Sequence, residues 1–400
     1  MKNFTGYNLC LYTDILFGKE TENQAGKMVR KHGGSKILMV YGGGSIKKTG
    51  LYDRVVKSLN EEKLPFAELA GVQPNPRRSL VEKGVKLAID EKVDFVLAVG
   101  GGSAIDTSKA IALALANDGE FWKFYKGTTA EKMAPVGTIH TISAAGSETS
   151  RSSVIKDDIE TGRKFGFNYD PCRPVFAIMN PELTYTVDPY QTAVGAVDIL
   201  AHTISRYFFS GSPVCHVGDE FCEGLMRTVV RYAPIAIASP DDYEARAELM
   251  IAASFSHSDL MGIGRFGNRG GEHSLEYQLS GHYDTSHGAG LAVVMPAWMQ
   301  FIANHGNADQ VARVAQFGVG VFGVRPDISD PKGTADEAIR AFRRWIKSIG
   351  QPLTLKELGI PKTDLPDIIS RCLTHYNGLL LGFIDMDEKA VTEIFTSAAE

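Results

Sequence analysis

The sequence predicts two structural parts, an α/β unit built on a mainly parallel sheet and an all-helical unit after it. Three observations predict this. In the first 190 or so residues, short apolar runs alternate with amphipathic stretches, as strand–turn–helix repeats do. After about residue 188 the rhythm changes to long segments of helical spacing with few strand signals. A chain of 400 residues is also too long for one ordinary core. The expected boundary divides residues 1–188 from residues 189–400.

The elements follow in order. Lys36 to Tyr41 is a buried-strand pattern stopped by Gly42-Gly43-Gly44, and residues 51–63 continue with helical spacing. Asp94 to Val99 is a second strand, stopped by Gly100-Gly101-Gly102, with a helix expected from Thr107 to Asn117. Ala134 to Ile139 and Pro174 to Met179 read as a third and a fourth strand. Runs apolar on both faces belong to parallel strands covered by helices on each side. In the second part, 190–209, 217–238 and 243–261 carry helical spacing. Gly264 to Gly271 reads as a glycine-rich connection, and helical patterns return at 291–304, 308–322 and 334–349. No low-complexity linker separates the parts, so they are expected to pack closely around a cleft.

Composition narrows the function classes. Hydrophobic residues make up 44% and charged residues 22% of the chain, as in soluble globular proteins. A net charge of −5 gives no bulk attraction for nucleic acid or an anionic membrane, so an anionic ligand needs a local site. The start, Met1 to Asn8, has no apolar core of a secretory leader, and no run of about 18 apolar residues is present. Cys10, Cys172, Cys215, Cys222 and Cys372 are odd in number and scattered, which fits a reduced, cytoplasmic setting.

Two glycine turns are candidates for holding phosphate. Gly42-Gly43-Gly44-Ser45 and Gly100-Gly101-Gly102-Ser103 each follow a strand, and a parallel sheet presents such turns at its ligand-binding edge. Glycine allows close approach of the backbone, and a helix entering at Ser103 to Lys109 would offer free N–H groups to a pyrophosphate. Neither turn matches the G-x-G-x-x-G fingerprint, and each also reads as a tight strand-to-helix connection. The first turn runs into Lys47-Lys48 with no acid beside it, which suits a 2′-phosphate and hence NADP(H).

Asp198 and His202 stand four residues apart in an otherwise apolar helix, so both lie on one face. A buried carboxylate and imidazole need partners, and a divalent metal would satisfy both. His273 and His287 lie further along, with His282 between them. One Asp and three His form a mixed shell that suits Zn²⁺ or Fe²⁺ better than Mg²⁺ or Ca²⁺. A hydrogen-bonded helix pair and a satisfied core histidine account for the same residues without a metal.

The chain resembles the iron-activated, or group III, alcohol dehydrogenases, most of all their butanol dehydrogenase and NADPH-dependent aldehyde reductase branch. The likeness includes Ile15 to Lys19, Tyr41 to Gly50, Gln73-Pro74-Asn75-Pro76 and Val99 to Lys109. It continues through Gly195 to Asp198 with His202, then from Ala253 to His287-Gly288-Ala289-Gly290-Leu291-Ala292 and Pro296. The resemblance implies an N-terminal Rossmann-like domain and an all-helical C-terminal domain, the dehydroquinate synthase-like architecture. It implies Asp198, His202, His273 and His287 as ligands of Fe²⁺ or Zn²⁺. It implies Gly101, Gly102, Ser103 and Asp106 as the pyrophosphate loop, and Asn75, Thr141, Lys164 and Leu183 as further cofactor contacts. It places Gly43, Gly44 and Ser45 at the 2′-phosphate pocket, and it implies a homodimer.

The expected reaction is hydride transfer between NADP(H), with NAD(H) possible, and a small primary alcohol or aldehyde, the metal polarising the substrate oxygen. Three positions depart from the family pattern. Tyr277 stands where a second histidine is common, Ser205 where an acid often follows the second ligand, and Ala145 where a threonine precedes Gly146-Ser147-Glu148. Tyr277 and His282, each lying between ligands in the sequence, are the candidates for moving the proton. Rival readings are a polyol dehydrogenase or cyclase of the same architecture, a metal-dependent hydrolase, and a sensor that has lost turnover.

Overall fold

The computed structural model describes residues 9, 11–210, 215–265 and 270–399. In chain order the elements are β1 (Asp14–Phe17), α1 (Ala25–Lys31), β2 (Ile37–Tyr41), α2 (Ser45–Lys48), α3 (Leu51–Glu61), β3 (Phe66–Leu69) and α4 (Arg78–Asp90). Next come β4 (Phe95–Gly100), α5 (Gly102–Ala116), α6 (Trp122–Tyr125), β5 (Val136–His140), β6 (Ser152–Lys156), β7 (Lys164–Asn168) and β8 (Phe176–Met179). The helices α7 (Pro189–Tyr207), α8 (His216–Ala238), α9 (Tyr243–Ser256), α10 (Glu272–Tyr283) and α11 (His287–His305) follow. The chain ends with α12 (Ala308–Phe322), α13 (Pro331–Ser348), α14 (Leu365–His375) and α15 (Glu388–Ala398).

These elements form two compact units. The first joins Leu11–Val187 to Asp241–His257. Six of its strands make a wholly parallel sheet in the order β1-β8-β5-β4-β2-β3. Alternation along β2 and β4 explains their unbroken apolar runs. Ile37, Met39, Phe95, Leu97 and Val99 pack with Val29, Val55 and Leu59 of α1 and α3 on one face. Leu38, Val40 and Val96 pack with Val81, Val85 and Ile111 of α4 and α5 on the other. From β2 the chain crosses to β3 on one side and returns to β4 on the other. The two glycine turns thus stand at the point where the strand order reverses, the place where open α/β sheets bind ligands.

The second unit comprises the described residues of Asp188–Pro240 and Ser258–Glu400, and it is helical. Its α7 begins with Asp188 accepting from the Gln191 N–H and with Pro189 in the first turn. The helix is buried along most of its length, and α8 and α11 pack against it.

Several details depart from the sequence reading. The helix α9, expected with the helical half, belongs to the α/β unit. Thr149 Oγ1 donates to the Ser254 carbonyl at 2.6 Å, and the Ala145 carbonyl lies 2.9 Å from His257 Nδ1. The antiparallel pair β6–β7 is absent from the sequence reading; its strands, SSVIK and KFGFN, carry only two apolar side chains each and make no buried run. The helix expected from 291 starts at His287, so the His-Gly-Ala-Gly block is a first helical turn. Cys10, residues 1–8 and much of the Gly264–Gly271 connection lie outside the described residues. Among the described helices none is long and apolar enough to cross a membrane.

Candidate active site

Within the helical unit, three helices bring the four candidate ligands together. Asp198 and His202 come from successive turns of α7, with His202 Nε2 3.3 Å from Asp198 Oδ1. His273 opens α10, and its ring stacks on His202 with centroids 4.7 Å apart. His287 opens α11, its Nε2 3.8 Å from Asp198 Oδ1 and its ring 5.3 Å from that of His273. Ligand atoms of Asp198, His273 and His287 lie within 4.8 Å of one another.

Local sequence explains why α10 and α11 reach this point. A Cβ on Gly288 would overlap the Val194 carbonyl, so glycine lets α11 approach α7 one turn before Asp198. A Cβ on Gly290 would overlap the Glu276 side chain in the same way, which sets α11 against α10. The Gly-x-Gly after His287 is thus a packing device for three helices.

Two carboxylates that the sequence reading overlooked support the histidines. Glu276, fully buried, meets His287 Nδ1. Glu272, also fully buried, has Oε1 3.0 Å from His273 Nδ1. Their signal in the sequence is a polar stripe on α10 at Glu272, His273, Glu276, Tyr277 and Ser280, in a segment with neighbouring buried leucines. His273 Nε2 is buried and has no hydrogen-bond partner among the described residues. A buried nitrogen of that kind is costly unless an ion or water meets it. The chemistry of Asp198, His273 and His287, with His202 Nε2 3.3 Å from the Asp198 carboxylate, therefore fits a divalent metal.

The proposed proton carriers separate. Tyr277 lies one turn beyond His273, half-buried, with its ring centroid 5.7 Å from His287 and 6.5 Å from His273. His282 is exposed, and nine residues at about 100° each put it on the opposite side of α10 from His273. The structure does not bring His282 to the cluster.

In the α/β unit, Gly101 caps α5, and Gly102 and Ser103 form its first turn, where N–H groups lack intrahelical acceptors. Gly43 and Gly44 precede Ser45, the first residue of α2. Thr141 follows β5, and its N–H donates to the Gly100 carbonyl at 3.2 Å. Asn75 holds a positive φ of 55° before Pro76, Lys164 begins β7, and Leu183 lies in a short 3-10 turn.

Asp106 faces inward: its carboxylate accepts from Ser147 Oγ at 2.6 Å and from the Val154 N–H at 3.0 Å. Burial pushes its pKa up. Lys109, one turn later and fully buried, donates to the carbonyls of Ser147, Ser150 and Ser152 at 2.7, 2.9 and 2.8 Å. Desolvation lowers this ammonium to about 8. The Asp-x-x-Lys of the second glycine motif thus fastens the loop that follows β5 and the start of β6.

The first glycine turn holds an acid that the sequence reading did not see. Glu68, on neighbouring β3, accepts from Tyr41 Oη at 2.5 Å and Tyr52 Oη at 2.7 Å, and lies 3.9 Å from Lys47 Nζ. It comes from another strand, beyond the reach of a local scan for an acid. Lys47 also sits 4.6 Å from the centre of the Tyr52 ring.

Comparison with known proteins gives the family. Residues 13–181 match the family model of iron-containing alcohol dehydrogenases, and residues 192–399 match the C-terminal model of the Fe-containing alcohol dehydrogenase family. The chain is 39% identical to the NADH-dependent butanol dehydrogenase A of Clostridium acetobutylicum, over 97% of this chain and 98% of that one. It is 34% identical to the NADPH-dependent aldehyde reductase YqhD of Escherichia coli, over 94% of each. Among solved structures, the NADH-dependent butanol dehydrogenase A of Thermotoga maritima superposes with a TM-score of 0.93 at 35% identity, covering all of both chains. The chain belongs to the iron-containing alcohol dehydrogenase family and is an oxidoreductase of the alcohol–aldehyde type.

Proposed function

We propose that this chain is a metal-dependent, NAD(P)-linked alcohol dehydrogenase and aldehyde reductase that acts on small primary alcohols and aldehydes. The convergence of Asp198, His202, His273 and His287 carries the reading. When bound there, a divalent ion, Fe²⁺ or Zn²⁺, supplies Lewis acidity at the substrate oxygen, while a nicotinamide gives or takes the hydride.

The chain's own residues bind and orient. Asp198 and the three imidazoles hold the ion. Gly101, Gly102 and Ser103 present N–H groups at the start of α5 to a pyrophosphate. Asp106 serves this by fixing the loop behind the turn. Asn75, Thr141, Lys164 and Leu183 are the further cofactor contacts of this reading, and Tyr277 is its proton carrier, close to His287.

Gly43, Gly44, Ser45 and the two lysines suit the 2′-phosphate of NADP(H), the preference expected from sequence. Glu68 opposes it, because its carboxylate neutralises part of the Lys47 charge. We therefore propose use of both NADPH and NADH; the named relatives likewise divide between them.

A homodimer is supported by edge strand β1 and the chain before it, where Leu11, Tyr12, Ile15 and Phe17 are exposed. Free, buried thiols at Cys172, Cys215, Cys222 and Cys372 support a cytoplasmic setting.

The test is a panel of alcohols and aldehydes, butanal and glycerol among them, assayed with NADH and NADPH. The protein is stripped of metal and refilled with Fe²⁺ or Zn²⁺. Activity that returns with either ion and favours butanal is expected; metal-independent turnover, or no nicotinamide oxidation, sinks the proposal.

A further inference from the structure

The helix pair that carries His202 and His273 contains a rearranged support for one ligand. Family resemblance places an acid three residues after the second ligand, and this chain has Ser205 there. Ser205 Oγ nevertheless touches a carboxylate, that of Glu272, and lies 3.1 Å from His273 Nδ1. Glu272 Oε1 is itself 3.0 Å from the same nitrogen.

We infer that Glu272 is a positioning residue for the metal centre, supplying from α10 the carboxylate that position 205 on α7 lacks. The inference rests on the metal-binding reading above. By accepting the Nδ1 proton, Glu272 fixes the His273 tautomer and turns the buried, unpartnered Nε2 towards the Asp198 cluster. Ser205 donates its hydroxyl proton to Glu272 Oε1 and so orients the carboxylate. The first turn of α10 is a favourable place for that charge, because the helix N-terminus is the positive end of its dipole. The fit is tight: a Cβ on Gly270 would overlap the Glu272 carboxylate. An acid reaching out from position 205 would arrive at the same nitrogen, which the present hydroxyl already approaches.

The experiment measures Zn²⁺ and Co²⁺ affinity by chelator competition, with the Co²⁺ absorption spectrum as a second readout, on the full chain. Four proteins are compared with wild type: Asp198→Ala, Glu272→Gln, Ser205→Ala, and the exchange Ser205→Glu with Glu272→Thr. Wild type is expected to bind one ion, and Asp198→Ala to lose it. If these two behave alike, the metal reading itself fails. Glu272→Gln is expected to bind about 10–100-fold more weakly with an altered Co²⁺ spectrum. Ser205→Ala should lose several-fold, and the exchange should recover most of the wild-type affinity. Glu272→Gln binding within about twofold of wild type, while Asp198→Ala has lost the metal, overturns the inference. Should Glu272→Gln fail to fold, Ser205→Ala and the exchange decide: unchanged affinity in the first, or no binding in a folded form of the second, overturns it equally.

Discussion

His202 Nε2 lies 3.3 Å from Asp198 Oδ1, one helical turn back along α7, so two candidate ligands are aligned by a single rigid element. Sites on helices hold their geometry more closely than sites on loops. Replacing Asp198 by alanine removes the only carboxylate of the proposed ligand set and leaves its imidazoles in place. The expected result is loss of bound metal and a fall in kcat/KM of at least about 100-fold, as the Lewis acid is lost. Metal analysis of the purified variant beside steady-state rates checks this. A variant that loses activity and keeps full metal occupancy contradicts it.

Gly288 allows α11 to meet α7 at the Val194 carbonyl. Gly288→Ala forces the helices apart next to the cluster. Overpacking of this kind costs about 1–3 kcal/mol. Because His287 is the preceding residue, the displacement should also weaken metal binding. Urea unfolding of metal-free protein and chelator competition measure the two effects separately. Unchanged stability and affinity would show that the helices have room to adjust.

Much of this fold was readable because the chain repeats its rules. The runs at Ile37–Tyr41 and Phe95–Gly100 are apolar on both faces, and each ends at glycines, so strand and turn were both legible. The i, i+4 pair of Asp198 and His202 was legible for the same reason, a fixed helical period. What periodicity could not carry was contact between distant segments. Glu272 meaning support for His273 depends on α10 packing beside Ser205, 67 residues earlier. Glu68 reaches Lys47 only because β3 pairs with β2. The return of α9 to the α/β unit depends on the loop around Ala145 and Thr149, which has no period to read.

Asp157 closes the turn between β6 and β7. Its buried carboxylate accepts from Thr161 Oγ1 at 2.9 Å and from Arg78 Nη1 at 3.2 Å. Desolvation raises its pKa, but the bonds from Thr161 and Arg78 outweigh it and hold the carboxyl below its ordinary value of 3.8. A carboxylate depressed in the folded state stabilises above its unfolded pKa, and that contribution disappears as pH falls through the folded pKa. Asp157→Asn should therefore lower stability at pH 7, by roughly 1–3 kcal/mol for a charged hydrogen-bonding group. The gap between variant and wild type should narrow as pH falls below 3.8 and the carboxylate is protonated. Thermal midpoints across pH 2–7 test this; a constant gap across the series would remove the electrostatic explanation.

Tyr277 and His282 make a discriminating pair because one helix presents them in different directions. Tyr277 shares the face of His273 and stands with its ring centroid 5.7 Å from that of His287, whereas His282 is exposed on the far side. A phenol can pass a proton to a substrate oxygen within about 3 Å or through one water; an imidazole across the helix cannot. Tyr277→Phe keeps the ring and removes the hydroxyl, so packing is preserved. It should lower kcat by about 100-fold and change the pH dependence of kcat, with metal content unchanged. His282→Ala should leave both rate and profile as in wild type. If the pH profiles of both variants overlay that of wild type, neither residue moves the proton.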